Sequence, residues 1–159
     1  MRCAELPHGR AAGLLDRYGL EPVLIAPGCA VPGSFWGQPE AGLIARRLNY
    51  RADTPVHSLL HELAHFVCMD SARRRDLDMD AGGDDDEECA VCYLEILLAD
   101  RLPPFSRQRC LADMDAWGYS FREASAAAWF CGDGRDAREW LLRHELIDAR
   151  DQPSWRLRN

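Results

Sequence analysis

The sequence predicts a single α+β domain over residues 1–159, with a small sheet packed on a central helix and a mostly helical C-terminal half. Three observations predict it. At 159 residues the chain fits one core of ordinary domain size. Two β-rich runs fall early, and apolar residues at helical spacing dominate from residue 54 onward. A hydrophobic fraction of 47%, with five Trp, is enough to fill that core.

Leu14, Leu15 and Tyr18 are at helical spacing and stop at Gly19, a C-terminal cap, so a short helix is expected over residues 10–18. Pro22-Val23-Leu24-Ile25-Ala26-Pro27 reads as a strand bounded by prolines, residues 28–37 as a loop, and Leu43 to Tyr50 as a second strand. Thr54-Pro55 has the form of an N-cap followed by proline at the first helical position, where its missing donor costs nothing. That helix should run to about Met69, and Val56, Leu59, Leu60, Leu63, Phe66 and Val67 leave it little purely polar surface. Arg73-Arg74-Arg75 reads as a solvated loop. Past an acidic stretch from Asp76 to Glu88, Ala90, Val91, Leu94, Leu97 and Leu98 mark another helix, which must end before Pro103-Pro104. Residues 108–116 add a helical stretch; Ser120 with Glu123 forms a capping box for a helix ending near Gly132; a last helix covers about Asp136 to Leu146.

The net charge of -7 argues against a nucleic-acid surface, which needs clustered cations. Seven scattered cysteines lack the spacing of a disulfide scaffold, the first residues lack the apolar region of a signal peptide, and no run approaches the length of a membrane span. A reduced, cytoplasmic protein with no membrane or nucleic-acid partner is expected.

The chemistry concentrates in His61-Glu62-Leu63-Ala64-His65. Residues four apart share one helix face, so His61 and His65 can present imidazoles to one zinc ion, at about 2.0 to 2.1 Å. Glu62, one residue round, is placed to act as general base on a water at the metal. Burying two histidines and a glutamate in so apolar a helix would be costly without partners.

A catalytic zinc site needs three protein ligands. On the following helix Glu87 lies in line with Val91, Leu94 and Leu98, the stripe that must turn inward, whereas Glu88 shares a more polar stripe with Cys92 and Glu95. Periodicity selects Glu87 as the third ligand and leaves Glu88 as the fallback one register away.

His61 to His65, followed after 21 residues by Glu87-Glu88-Cys89-Ala90, resembles the gluzincin zinc metallopeptidases, in which a Glu-x-x-Ala helix supplies the third ligand. The sequel Tyr93-Leu94-Glu95-Ile96-Leu97-Leu98 is similar to the minimal bacterial members, the repressor-cleaving and radiation-response peptidases. The resemblance spans residues 43–100 and implies a zincin-like fold, a peptide or protein substrate, and hydrolysis of a peptide or amide bond. It also assigns Leu43 to Tyr50 as the strand that aligns the substrate. Val91 stands where such families often place Asn or Asp to support a ligand histidine. A weaker similarity, through His61 to Cys68 and Ala72-Arg73-Arg74, is to the elongation factor P hydroxylases, which implies iron on the same two-His, one-carboxylate ligands.

Three other readings compete for this region. Asp76, Asp78 and Asp80 with Glu87 have EF-hand spacing, though Ala81 replaces the turn glycine. Cys89 and Cys92 with His61 and His65 could form a closed structural zinc site, making the chain a metal-stabilised interaction module. His57 extends the histidine stripe by one turn, and Tyr119 is a candidate oxyanion donor or a packing residue.

Overall fold

The protein is described by a computed structural model covering residues 1–34, 37, 39–78, 81–119, 121 and 124–159. After a turn of 3-10 helix at Cys3–Glu5 come helix α1 (Arg10–Asp16) and strands β1 (Glu21–Ile25), β2 (Gly42–Ile44) and β3 (Arg47–Arg51). Helices α2 (Val56–Cys68), α3 (Ser71–Asp76), α4 (Asp85–Ala99), α5 (Arg107–Trp117), α6 (Ala126–Cys131) and α7 (Arg135–Arg143) complete the chain. The α+β class is therefore observed. Among the described residues no helix is long and apolar enough to cross a membrane.

The expected second strand is two strands. Ala45 adopts a left-handed φ of 51° and breaks the run into a β2–β3 hairpin. Its amide is held by Leu77 O at 3.0 Å. The sheet order is β1-β3-β2, with β3 parallel to β1 and antiparallel to β2. Because β3 is paired on both sides, its backbone offers no edge to a peptide; β1 and β2 are the edge strands.

Helix α2 begins one residue later than Thr54-Pro55 implied, because the Thr54 hydroxyl is committed to the Arg51 amide at 2.9 Å and Pro55 becomes the cap. Its Leu59, Leu60, Leu63, Ala64, Phe66 and Val67 have no exposed surface. It packs chiefly on α4, with the sheet and α5 on its other sides, while α7 covers another face of α4. The two helices that carry the candidate site thus form the centre of the core.

The arginine run is no loop. Asp70 accepts from the Ala72 and Arg73 amides, both at 2.9 Å, and starts α3. Asp84 caps α4 in the same way, accepting from the Glu87 amide at 2.9 Å. The proposed Ser120–Glu123 capping box lies outside the described residues, and α6 begins after Ser125, whose hydroxyl accepts from the Ala128 amide.

Candidate metal centre

One turn of α2 separates His61 from His65 and brings their Nε2 atoms to 3.1 Å of each other. From the first turn of α4, Glu88 reaches both rings: Oε1 lies 3.4 Å from His61 Nε2, and Oε2 lies 3.5 Å from His65 Nε2. Three ligands each about 2.0 to 2.1 Å from a tetrahedral ion would be roughly 3.3 Å apart. The donor set therefore fits a zinc-sized cation, and the three residues are one of two groupings among the described residues that could hold one. The other, His61 with Cys92 and Glu95, uses the same histidine.

Glu95, one turn beyond Cys92, is fully buried and supports His61 from behind. Its Oε2 is 3.1 Å from His61 Nδ1, and its Oε1 takes a contact of 3.6 Å from the Cys110 thiol. With His61 Nδ1–H donating to that carboxylate, the Nε2 lone pair is left for a metal, the arrangement that commonly orients ligand histidines. Support absent at Val91 is thus supplied by Glu95, which the sequence offers with Glu87 and Glu88 among the acids of this helix but assigns no supporting role.

Glu87, the periodicity's choice, does not meet the histidines. It is buried as expected, at 4% exposure, but its carboxylate turns away to an arginine pair. Arg73 Nη2 donates to both oxygens at 2.7 Å and Arg158 Nη1 to Oε2 at 2.6 Å. Arg158 also donates to Cys68 O at 3.2 Å, and Arg74 donates to Phe66 O, Met69 O and Arg158 O. The run Arg73-Arg74 ties α3 to the end of α2. Glu87 holds the start of α4 in this clasp, and Glu88, 100° round the helix, is the acid brought to the histidines.

The electrostatics favour a cation here. Burial works against a charge on His61, yet Tyr119, Cys92, Glu88 and Glu95 around it raise its pKa well above the usual imidazole value. Burial pushes Glu88 upward, but the hydrogen bond and charge of His61 outweigh it and keep Glu88 below the usual range. Half-buried Glu62 is pushed up to about 7 by burial, opposed by His61 and reinforced by Glu40, Glu88 and Glu95. Tyr119 meets His61 edge-on, with ring centres 5.8 Å apart, so it belongs to the site whichever role it takes. His57 is buried behind it, its Nδ1 4.0 Å from Glu95 Oε1 and without a hydrogen-bond partner among the described residues.

The competing readings lose their ligands. Both Glu87 oxygens are occupied by guanidinium groups, Asp76 closes α3, and Asp80 lies outside the described residues, so the calcium-loop spacing is not assembled. Cys89 is exposed and belongs to neither metal grouping, which leaves a Cys2His2 site incomplete.

Comparisons with protein-family models, with curated proteins and with solved structures gave no match to this chain.

Proposed function

We propose that the chain is a zinc-dependent, zincin-like metallohydrolase that cleaves peptide or amide bonds, with His61, His65 and Glu88 as metal ligands and Glu62 as general base. The observation that carries this reading is the convergence of α2 and α4: the two imidazole Nε2 atoms lie 3.1 Å apart and the two Glu88 oxygens lie 3.4 and 3.5 Å from them, with the Glu62 carboxylate on the adjacent position of α2. Zinc, when bound, supplies Lewis acidity, lowering the pKa of water from about 15.7 to about 7 and polarising a carbonyl.

The protein's part is positional and protonic. Glu95 holds the His61 ring and its tautomer, and the clasp on Glu87 fixes the turn of helix from which Glu88 projects. Glu62, held near neutrality by burial, takes a proton from water at physiological pH and returns it to a leaving amine.

The same three ligands would serve an iron-dependent hydroxylase, in which Glu62 would have no proton to take from a hydrolytic water. The experiment is to purify the chain without added metal, measure its metal content, and follow cleavage of a mixed peptide pool by mass spectrometry with the parent and with Glu62→Gln. Zinc, cleavage by the parent and none by the variant are expected. Iron, or full activity in the variant, would overturn the proposal.

A further inference from the structure

A cleft of about 1000 Å³ opens against the metal centre, with Glu88, Cys92 and Tyr119 in its wall. Its lining combines two features that recognise the same chemistry. The first is an aromatic track. Tyr119 stands edge-on to His61 at 5.8 Å, Phe121 stacks on Tyr119 at 6.1 Å with an interplanar angle of 17°, and Trp129 stacks on Phe121 at 4.8 Å and 27°. The three rings therefore form one stacked series in the cleft lining that starts at the candidate ligand and ends on the buried Trp129.

The second feature is the charge of the walls. Asp86, at the start of α4, and Asp133, Asp136 and Glu139, before and on α7, are exposed acids lining the same cleft. Arg135 and Arg143 oppose them, and Arg135 is loosely paired with Asp136 at 3.9 Å and Glu139 at 4.0 Å. Setting Glu88 aside as a metal ligand, four carboxylates face two guanidinium groups, and the cleft is net acidic.

An aromatic track between acidic walls suits a cation whose flat face can lie on a ring while its charge meets carboxylates, and among side chains arginine meets both conditions best. The fold already uses this pairing at the cleft: Trp140, another wall residue, carries the Arg158 guanidinium 4.9 Å from its ring centre. We infer that this cleft is the substrate-binding groove and that it selects a peptide with a basic side chain, arginine above all, next to the bond presented to the metal. The inference rests on the metallohydrolase reading for the identity of the bond, and on the cleft alone for the preference.

The test measures binding, so that it does not depend on turnover. Three acetylated and amidated pentapeptides, identical except for arginine, citrulline or glutamate at the centre, are titrated calorimetrically into zinc-supplemented full-length Glu62→Gln protein. Citrulline keeps the size and planarity of arginine and removes its charge. One ring contact and one or two exposed carboxylates predict about tenfold tighter binding of the arginine peptide over citrulline, with glutamate weakest. That margin should shrink at least threefold in Asp86→Asn/Asp133→Asn, two exposed changes outside the metal centre. Equal binding of the arginine and citrulline peptides, tightest binding of the glutamate peptide, or an unchanged margin in the double variant would overturn the inference. If the arginine margin appears while the parent cleaves no peptide, the groove stands and the hydrolase reading fails.

Discussion

Exchanging the two adjacent glutamates for glutamine, one at a time, separates their jobs. Glu88→Gln removes one of the three proposed ligands. Structural zinc sites bind with about 10 to 16 kcal/mol over four ligands, so one ligand is worth about 3 kcal/mol and its loss should weaken zinc binding roughly a hundredfold or more. Because the Glu88 side chain is 51% exposed, the stability of metal-free protein should move by about 0.5 kcal/mol or less. Glu87→Gln has the opposite signature. The Glu87 side chain is only 6% exposed and neutralises two arginines. Breaking a fully buried pair costs about 3 to 5 kcal/mol, but Arg73 and Arg158 are 30% and 24% exposed, so water takes up part of the loss and about 2 kcal/mol is expected. For a chain of this length that lowers Tm by about 4 to 8 °C. The assays are zinc retained per chain against a graded chelator and thermal unfolding of chelator-stripped protein. If Glu87→Gln lost its zinc while Glu88→Gln kept it at parental affinity, the ligand assignment made from the α2–α4 geometry would be wrong.

Other outcomes follow from the same geometry. Glu62→Gln should retain parental zinc content and lose about 10²- to 10⁴-fold in peptide hydrolysis, read as kcat on whichever peptide the parent cleaves. Glu95→Gln, which leaves the ligands in place but weakens the hold on His61, should reduce zinc affinity by about 10- to 100-fold in the chelator series. Parental affinity in that variant would show that the buried carboxylate does not orient the ring. Burial lowers the pKa of His57 to about 4, against the upward pull of Asp113, so its folded value lies below its unfolded one of 6.5. Stability from neutral His57 is then fully present above pH 6.5 and lost as pH falls from there towards 4, amounting to about 2 kcal/mol at pH 5. Urea unfolding of metal-free parent and His57→Gln at pH 7.5 and 5.0 should show a steeper pH loss in the parent by that amount, and parallel slopes would contradict it.

How much of this was legible in the sequence depended on whether the signal was local. The His61–His65 spacing specifies a shared helix face by itself, and the apolar run around it specifies a buried helix, so α2 and its histidines were readable. The choice between Glu87 and Glu88 was not. Inward periodicity reports burial, and Glu87 is buried because Arg73 and Arg158 surround it, the latter 71 residues away. Nothing in a helical stripe distinguishes an acid buried by ion pairs from one buried by a metal. The role of Glu95 was not legible for a related reason: its partners, His61 and Cys110, are on two other helices. The hairpin turn carried no glycine at Ala45 to announce it, whereas the cap at Asp70 was readable and the arginines after it masked a short helix.

The place of Glu88 in the first turn of α4 also bears on how fast a metal could enter and leave. First turns fray far more often than whole domains unfold, and Glu88 is only the fourth residue of α4. The two histidines, by contrast, are mounted on the most deeply packed helix. If zinc is held as proposed, Glu88 would swing out while the two histidines stay fixed, and metal exchange would be a local opening, its rate set by the Glu87 clasp and largely indifferent to the global unfolding rate.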